Sequence, residues 1–148
     1  MFNLSEDNIW HSSNNNADKY PDMVAMDKHL GIELLEIGDD FVTTKMPVSD
    51  RTKQPFSILH GGASCVLAET TGSIAANLVL DNSKFYAVGL EINANHITSV
   101  SNGSVYAKAT ALHIGKSTSV WNIDITDGNN KRICFCRFTA MNKEGERE

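Results

Sequence analysis

Residues 61–80 read Gly61-Gly-Ala-Ser-Cys-Val-Leu-Ala-Glu-Thr-Thr-Gly-Ser-Ile-Ala-Ala-Asn-Leu-Val-Leu80, and this stretch decides the fold. Ala63, Val66, Leu67, Thr70, Ile74, Ala75 and Leu78 recur at helical spacing. The opposite side carries Ala68, Gly72, Ala76 and Val79, so the helix is small or apolar nearly all round. Such a helix is enclosed by other elements rather than laid on a surface. Charged residues make up 21% of the chain, which would put about six among the 27 residues from Gln54 to Leu80. Glu69 is the single one.

The flanking sequence supplies strands to do the enclosing. On the N-terminal side, 31–37 and 41–48 read as two strands joined by a tight turn at Gly38-Asp39-Asp40, after a short helix at 23–29 that ends at Gly31. On the C-terminal side, 84–95 is a third strand with Tyr86, Val88, Leu90 and Ile92 on one face. The fourth, 103–114, aligns Val105, Ala107, Ala109 and Ala111. The fifth, 117–126, alternates Trp121, Ile123 and Ile125 with polar residues. A turn at Asp127-Gly128-Asn129-Asn130 leads into the sixth, 131–141. Two strands, one enclosed helix and four strands predict an α+β domain, an antiparallel sheet wrapped around a central helix.

Around this domain, 1–22 is polar and Asn-rich and reads as a loosely held arm, the domain itself spans 23–142, and 143–148 is a charged tail. The 148 residues suit one domain. With 13 basic against 18 acidic residues the net charge is −5, which argues against a nucleic-acid partner, whose phosphates require a basic face. No apolar run is long enough for a membrane helix, and the N-terminus lacks the pattern of a secretory signal, so the expectation is a soluble, cytoplasmic protein. The three cysteines form no disulfide framework. Cys134 and Cys136 lie on one face of a strand without a second ligand pair, so no metal site is expected; Cys65, Trp121 and Phe135 read as core.

A carboxylate on an enclosed helix must be hydrogen-bonded, ion-paired, protonated or facing a cavity, because burial disfavours its charge. A plain salt bridge would suffice to explain Glu69. Its neighbours suggest more. Ser73 is four residues on, on the same helical face, and can orient the carboxylate. At the start of the helix, His60-Gly61-Gly62 puts side-chain-free residues where unpaired N–H groups and the positive dipole end suit an anion or a developing oxyanion. Close packing for the glycines and a satisfied core role for His60 are the plainer readings. Gly61 and Glu69 are eight residues apart, about 12 Å along a helix at ~1.5 Å per residue. If the two act on one bond, they must come from different subunits whose helices run antiparallel.

The stretch Met46-Pro-Val-Ser-Asp-Arg-Thr-Lys-Gln-Pro-Phe-Ser-Ile-Leu-His-Gly-Gly-Ala-Ser resembles the hotdog-fold thioesterases, in particular the dihydroxynaphthoyl-CoA and hydroxybenzoyl-CoA thioesterase branch. The resemblance continues through Leu67-Ala-Glu-Thr-Thr-Gly-Ser, Val88-Gly-Leu-Glu-Ile-Asn-Ala-Asn-His and Leu112-His-Ile-Gly-Lys. It implies a hotdog fold, an obligate homodimer with shared active sites and often a homotetramer, and hydrolysis of an acyl-CoA with an aromatic or other bulky acyl group. The substrate could be 1,4-dihydroxy-2-naphthoyl-CoA, with a place in menaquinone biosynthesis. Glu69 would be nucleophile or general base, and Gly61 the backbone N–H that polarises the thioester carbonyl. Gln54 and His60 would place the thioester and the water or leaving group, and Ser73 would orient the carboxylate or water. Glu69 would come from one subunit and Gln54, His60 and Gly61 from the other. The CoA arm would lie along Gly89, the segment His96, Ile97, Thr98, Ser99 and the turn His113, Ile114, Gly115, Lys116, Ser117, Thr118. Close relatives carry arginine where this chain has Thr98, which shifts that phosphate contact toward Lys116. No cofactor is implied, since CoA is part of the substrate. Two alternatives share the fold: a proofreading thioesterase acting on an acyl carrier protein, and a non-catalytic acyl-CoA sensor.

Overall fold

In the computed structural model, residues 4–14 and 23–145 are described. Helix α1 (Ala25–Leu30) stops at Gly31, whose φ of 73° lies in the left-handed region that favours glycine. Strands β1 (Glu33–Ile37) and β2 (Phe41–Pro47) follow, then helix α2 (Gly61–Leu78) and strands β3 (Phe85–His96), β4 (Ser104–Ile114), β5 (Thr118–Asp127) and β6 (Arg132–Glu144). They form one antiparallel sheet in the order β1-β2-β4-β5-β6-β3, packed around α2. This is the α+β architecture expected from the pattern, with the helix ending two residues early.

The inward residues of the central strands are those the alternation picks out. Val105, Ala107, Ala109, Trp121, Ile123 and Ile125 are buried with Leu67, Ala68, Ile74 and Ala75 of α2. Two side-chain contacts fix the helix on the sheet. Thr71 Oγ1 donates to the Leu67 carbonyl at 2.6 Å, so the buried Thr44 hydroxyl of β2 donates to Thr71, also at 2.6 Å. Asn77 near the end of α2 accepts from the Ala87 N–H at 3.0 Å and donates to the Ser73 carbonyl at 2.8 Å. That amide locks the register of β3 along the helix. Cys134 and Cys136 are free thiols in the core, with sulfurs 3.6 Å apart.

Four expectations are revised. In β3 the inward residues are Ala87, then Ile92 and Ala94, whereas Leu90 is 56% exposed. A bulge between Gly89 and Glu91 shifts the register and breaks the alternation. Phe135 is 38% exposed, because it alternates with the buried Cys134 and Cys136 and so faces outward, with the Arg132 guanidinium 5.9 Å above its ring. Helix α2 is enclosed on most sides, and Gly62, Cys65, Val66, Glu69, Thr70 and Ser73 form a stripe that the chain's own sheet leaves partly open. Cys65 therefore lies on this stripe and not in the core.

The fourth concerns the N-terminal segment. Residues 4–14 are held against the domain, where composition suggested a loose arm. The Trp10 indole donates to the Gly38 carbonyl at 2.6 Å and stacks on Trp121, with ring centroids 6.2 Å apart. Asn14 donates to the Leu78 and Leu80 carbonyls, capping the C-terminal end of α2. The remainder of the expected arm, 15–22, lies outside the described residues. At the other end, Lys143 and Glu144 of the expected tail pair with Tyr86 and Phe85 in the sheet; 146–148 lie outside the described residues. Trp10 is only 5% exposed, so Trp10→Ala is expected to cost about 3 kcal/mol in urea unfolding. An unchanged midpoint would mean the segment contributes nothing to the fold.

Candidate functional site

The chain between β2 and α2 doubles back on itself. The Gln54 N–H donates to the Ile58 carbonyl, Lys53 and Leu59 form a bridge, and Ser57 takes a φ of 61° at the tip. The His60 N–H then donates to the Thr52 carbonyl, which delivers the chain to the start of the helix. His60 is the N-cap of α2, exposed rather than set in the core. Its Nδ1 accepts from the Gly62 N–H at 2.8 Å. A neutral imidazole that accepts at Nδ1 carries its proton on Nε2, so His60 faces outward as a hydrogen-bond donor. The same contact uses up the Gly62 N–H. Among the described residues nothing accepts from the Gly61 N–H, which is left as a free donor at the positive end of an 18-residue helix.

Gly61 also stands close against His96. A side-chain carbon there would lie 2.7 Å from His96 Nε2. His96 and Gly61 share a cavity of about 260 Å³ with Gln54, Ser64 and the segment Ile97, Thr98, Ser99 and Val100. That segment is pinned on both sides. The N–H groups of Ile97 and Thr98 donate to the Ile133 carbonyl, and the Leu59 N–H donates to the Val100 carbonyl. One recess thus collects Gln54, Gly61 and His96–Ser99 from three separate parts of the chain.

Glu69 and Gly89 form a second group. The Glu69 carboxylate lies directly on the β3 backbone at Gly89, where any Cβ would overlap Oε1. Burial pushes its carboxyl above the usual carboxylate range, and among the described residues no cation or hydrogen-bond donor meets it. The salt-bridge reading therefore does not apply within one chain. Ser73 is one turn further along the same open stripe, and its carbonyl is engaged by Asn77. The neighbouring Thr70 donates to Asp27 of α1 at 2.7 Å, which ties α1 beside the carboxylate.

The turn from His113 to Thr118 lies at this second end. Thr118 pairs with Met141, which pairs with Val88, next to Gly89. The turn is closed by the Gly115 N–H donating to the Thr118 carbonyl, and by Asn142, whose amide donates to the carbonyls of Gly115 and Lys116 at 3.1 Å each. One chain therefore does not unite the candidate residues. Gln54, Gly61 and His96–Ser99 stand at one end, while Glu69, Ser73, Gly89 and the 113–118 turn stand at the other. Sequence reasoning missed Asn77 and Asn142. An amide inside an otherwise apolar helix could have flagged the first; nothing local marks the second. A further hollow of about 460 Å³ on the outer face of the sheet, lined by Thr43, Lys108 and Asp124 among others, holds none of these residues.

The thioesterase superfamily model matches residues 56–134, which include α2 and every candidate site residue except Gln54. The chain belongs to that superfamily. Its fold is the hotdog fold and it is a thioester hydrolase. The 1,4-dihydroxy-2-naphthoyl-CoA hydrolase of Escherichia coli is 47% identical over 75% of the chain and 81% of that relative. A proofreading thioesterase of Cronobacter turicensis is 45% identical over 76% of the chain and 82% of its own length. Among solved structures, a thioesterase from Haemophilus influenzae superposes with a TM-score of 0.79 at 45% identity, covering 81% of this chain and 83% of that one. Among the described residues no helix is long and apolar enough to cross a membrane.

The raised carboxyl of Glu69 in this thioesterase has a consequence for stability. A carboxyl whose pKa is higher folded than unfolded favours folding fully only below its unfolded pKa, and that contribution is lost as pH rises through the folded value. Glu69→Gln removes the buried charge. The variant is therefore expected to melt higher than the wild type at pH 7.5, with the difference closing below the ordinary carboxylate range. Thermal unfolding across that interval checks it, and a variant less stable at pH 7.5 would contradict it.

Proposed function

We propose that the protein hydrolyses acyl-CoA thioesters with an aromatic or other bulky acyl group, at sites each built from two copies of the chain. The observation that carries this reading is the split just described. The free Gly61 N–H and the Glu69 carboxylate are each prepared for thioester chemistry, yet they stand about 12 Å apart along one helix. A second, antiparallel α2 brings the Gly61 end of one copy to the Glu69 of the other, across the stripe that the chain's own sheet leaves open. We propose an obligate homodimer on this ground. A homotetramer is consistent with the resemblance.

In the proposed reaction the Gly61 N–H, at the helix N-terminus, stabilises negative charge developing on the carbonyl oxygen. Gln54 and the Nε2–H of His60 hold the thioester and the departing sulfur. Ser73 orients the carboxylate or water. Glu69 acts in one of two ways. As a nucleophile it bonds to the carbonyl carbon, the C–S bond breaks, CoA leaves as its thiol after protonation, and water cleaves the resulting anhydride. As a general base it takes a proton from the water that attacks. A thioester is activated enough for either route to proceed without metal or cofactor. The CoA arm would run along His96–Ser99 and the 113–118 turn, with Lys116 toward a phosphate. The E. coli relative makes 1,4-dihydroxy-2-naphthoyl-CoA the first substrate to try, which would place the enzyme in menaquinone biosynthesis. The Cronobacter relative supports a second reading, removal of wrong acyl groups from a carrier protein. A panel of acyl-CoA and acyl-carrier thioesters with thiol detection separates the two, and tight binding without turnover would favour a sensor.

Glu69→Gln is expected to lose on the order of a hundredfold or more in kcat; a variant within about tenfold of wild type would remove Glu69 from this role. Single turnover in isotopic water distinguishes the routes, since label enters Glu69 only through an anhydride. Mixing the inactive variants Glu69→Ala and Gln54→Ala should restore activity through heterodimers carrying one intact site. No recovery would mean that sites are not shared between chains.

A further inference from the structure

We propose that Gly89 is a positioning residue for Glu69: the absence of a side chain on β3 is the seat that holds the carboxylate at its working depth. This deepens the reading of Glu69 given above and rests on it. It differs from the role along the CoA arm that the resemblance implies for Gly89.

The geometry is specific. A Cβ at residue 89 would overlap Glu69 Oε1 and would come within 3.2 Å of both Glu69 Cδ and Phe138 Cε2. Phe138 has no exposed surface and cannot give way. On its other flank the same ring fills the space where Gly72 lacks a side chain, three residues after Glu69 on α2. One ring therefore sets the spacing between helix and strand, and the two glycines let both backbones close on it. The Asn77 clamp on Ala87 fixes the register, so that the residue two further along β3 falls beneath Glu69. The bulge that begins at Gly89 then turns the strand away. Bulges commonly re-aim groups beside active sites. The carboxylate consequently has the β3 backbone behind it and the partly open stripe of α2 in front. Any side chain at 89 must push it forward, off its seat.

The two roles for Gly89 differ in kinetics. With Gly89→Ala in the full-length protein and an acyl-CoA that the wild type turns over, a seat predicts that kcat falls about tenfold or more while KM stays within about twofold. It also predicts that the acid limb of the pH–rate profile moves to lower pH, because the displaced carboxylate is better hydrated. A raised KM with unchanged kcat and an unmoved acid limb would overturn the proposal in favour of substrate contact. Glu69→Asp with Gly89→Ala is the second variant. It removes a methylene where the methyl is added, so it should fold even where Gly89→Ala alone does not. As a seat, Gly89 makes the double variant lose less than the product of the two single losses; where Gly89→Ala cannot be purified, the double variant should be at least as active as Glu69→Asp. Multiplicative losses, or a double variant less active than Glu69→Asp in that second case, overturn the proposal. Glu69→Gln separates the two levels: if it retains activity the proposed function fails, whereas if it is inactive while Gly89→Ala keeps its kcat, only the seat fails.

Discussion

The close approach of α2 to the sheet around Phe138 is the constraint on which the rest depends. A phenylalanine ring with no solvent exposure sits where Gly72 and Gly89 both lack side chains. A side chain at Gly72 would drive the helix off this ring, since a core packed to crystal-like density has no slack to absorb a methyl, and one at Gly89 would displace the Glu69 carboxylate. The bound depth of the helix in turn sets where Glu69 can reach. A carboxylate on a helix further out would be hydrated and ordinary. At this depth it meets backbone on one side and a partly open stripe on the other.

The open stripe has the same origin. A six-stranded sheet can wrap most of one helix, and here β1 and β3 form its two free edges. What it leaves only partly covered is the row of Gly62, Cys65, Val66, Glu69, Thr70 and Ser73. These residues are small or weakly polar apart from Glu69, so a second helix can approach them closely. The division of the candidate residues into two ends of one chain follows from helix geometry alone. Eight residues cannot bring a helix N-terminus and a later side chain onto one bond.

The buried polar groups organise this arrangement rather than add to it. Thr44 with Thr71 holds β2 to α2, Asn77 holds β3, and Asn142 closes the turn beside Gly115. The Thr44–Thr71 pair and Asn77 satisfy polar groups inside the core and fix registers that apolar packing leaves free to slide, while Asn142 holds the shape of the turn. His60 does the same at the helix start: by taking the Gly62 N–H it leaves the Gly61 N–H as the free donor and determines which imidazole nitrogen keeps the proton.

Much of this was legible in the residues themselves. Alternation of period two and the all-round apolar helix specified the α+β wrap, because burial demands those periods wherever an element faces the core. The lone Glu69 in an uncharged stretch and the His60-Gly61-Gly62 start marked the candidate site for the same reason: desolvation makes a charge or a bare helix terminus conspicuous. The phase of β3 was not legible, since a single bulge reverses alternation without altering composition, and so Leu90 faces out. Phe135, expected in the core, faces out, while Trp10 of the expected arm packs inward, because a large ring is content in either setting and only its neighbours decide. The pairing of Glu69 with Gly89 and the recess joining Gln54, Gly61 and His96 unite residues far apart in the chain. Sequence determined which groups could do chemistry. Only the tertiary structure decided which of them meet, because that depends on register and on the depth to which a helix sinks into a sheet.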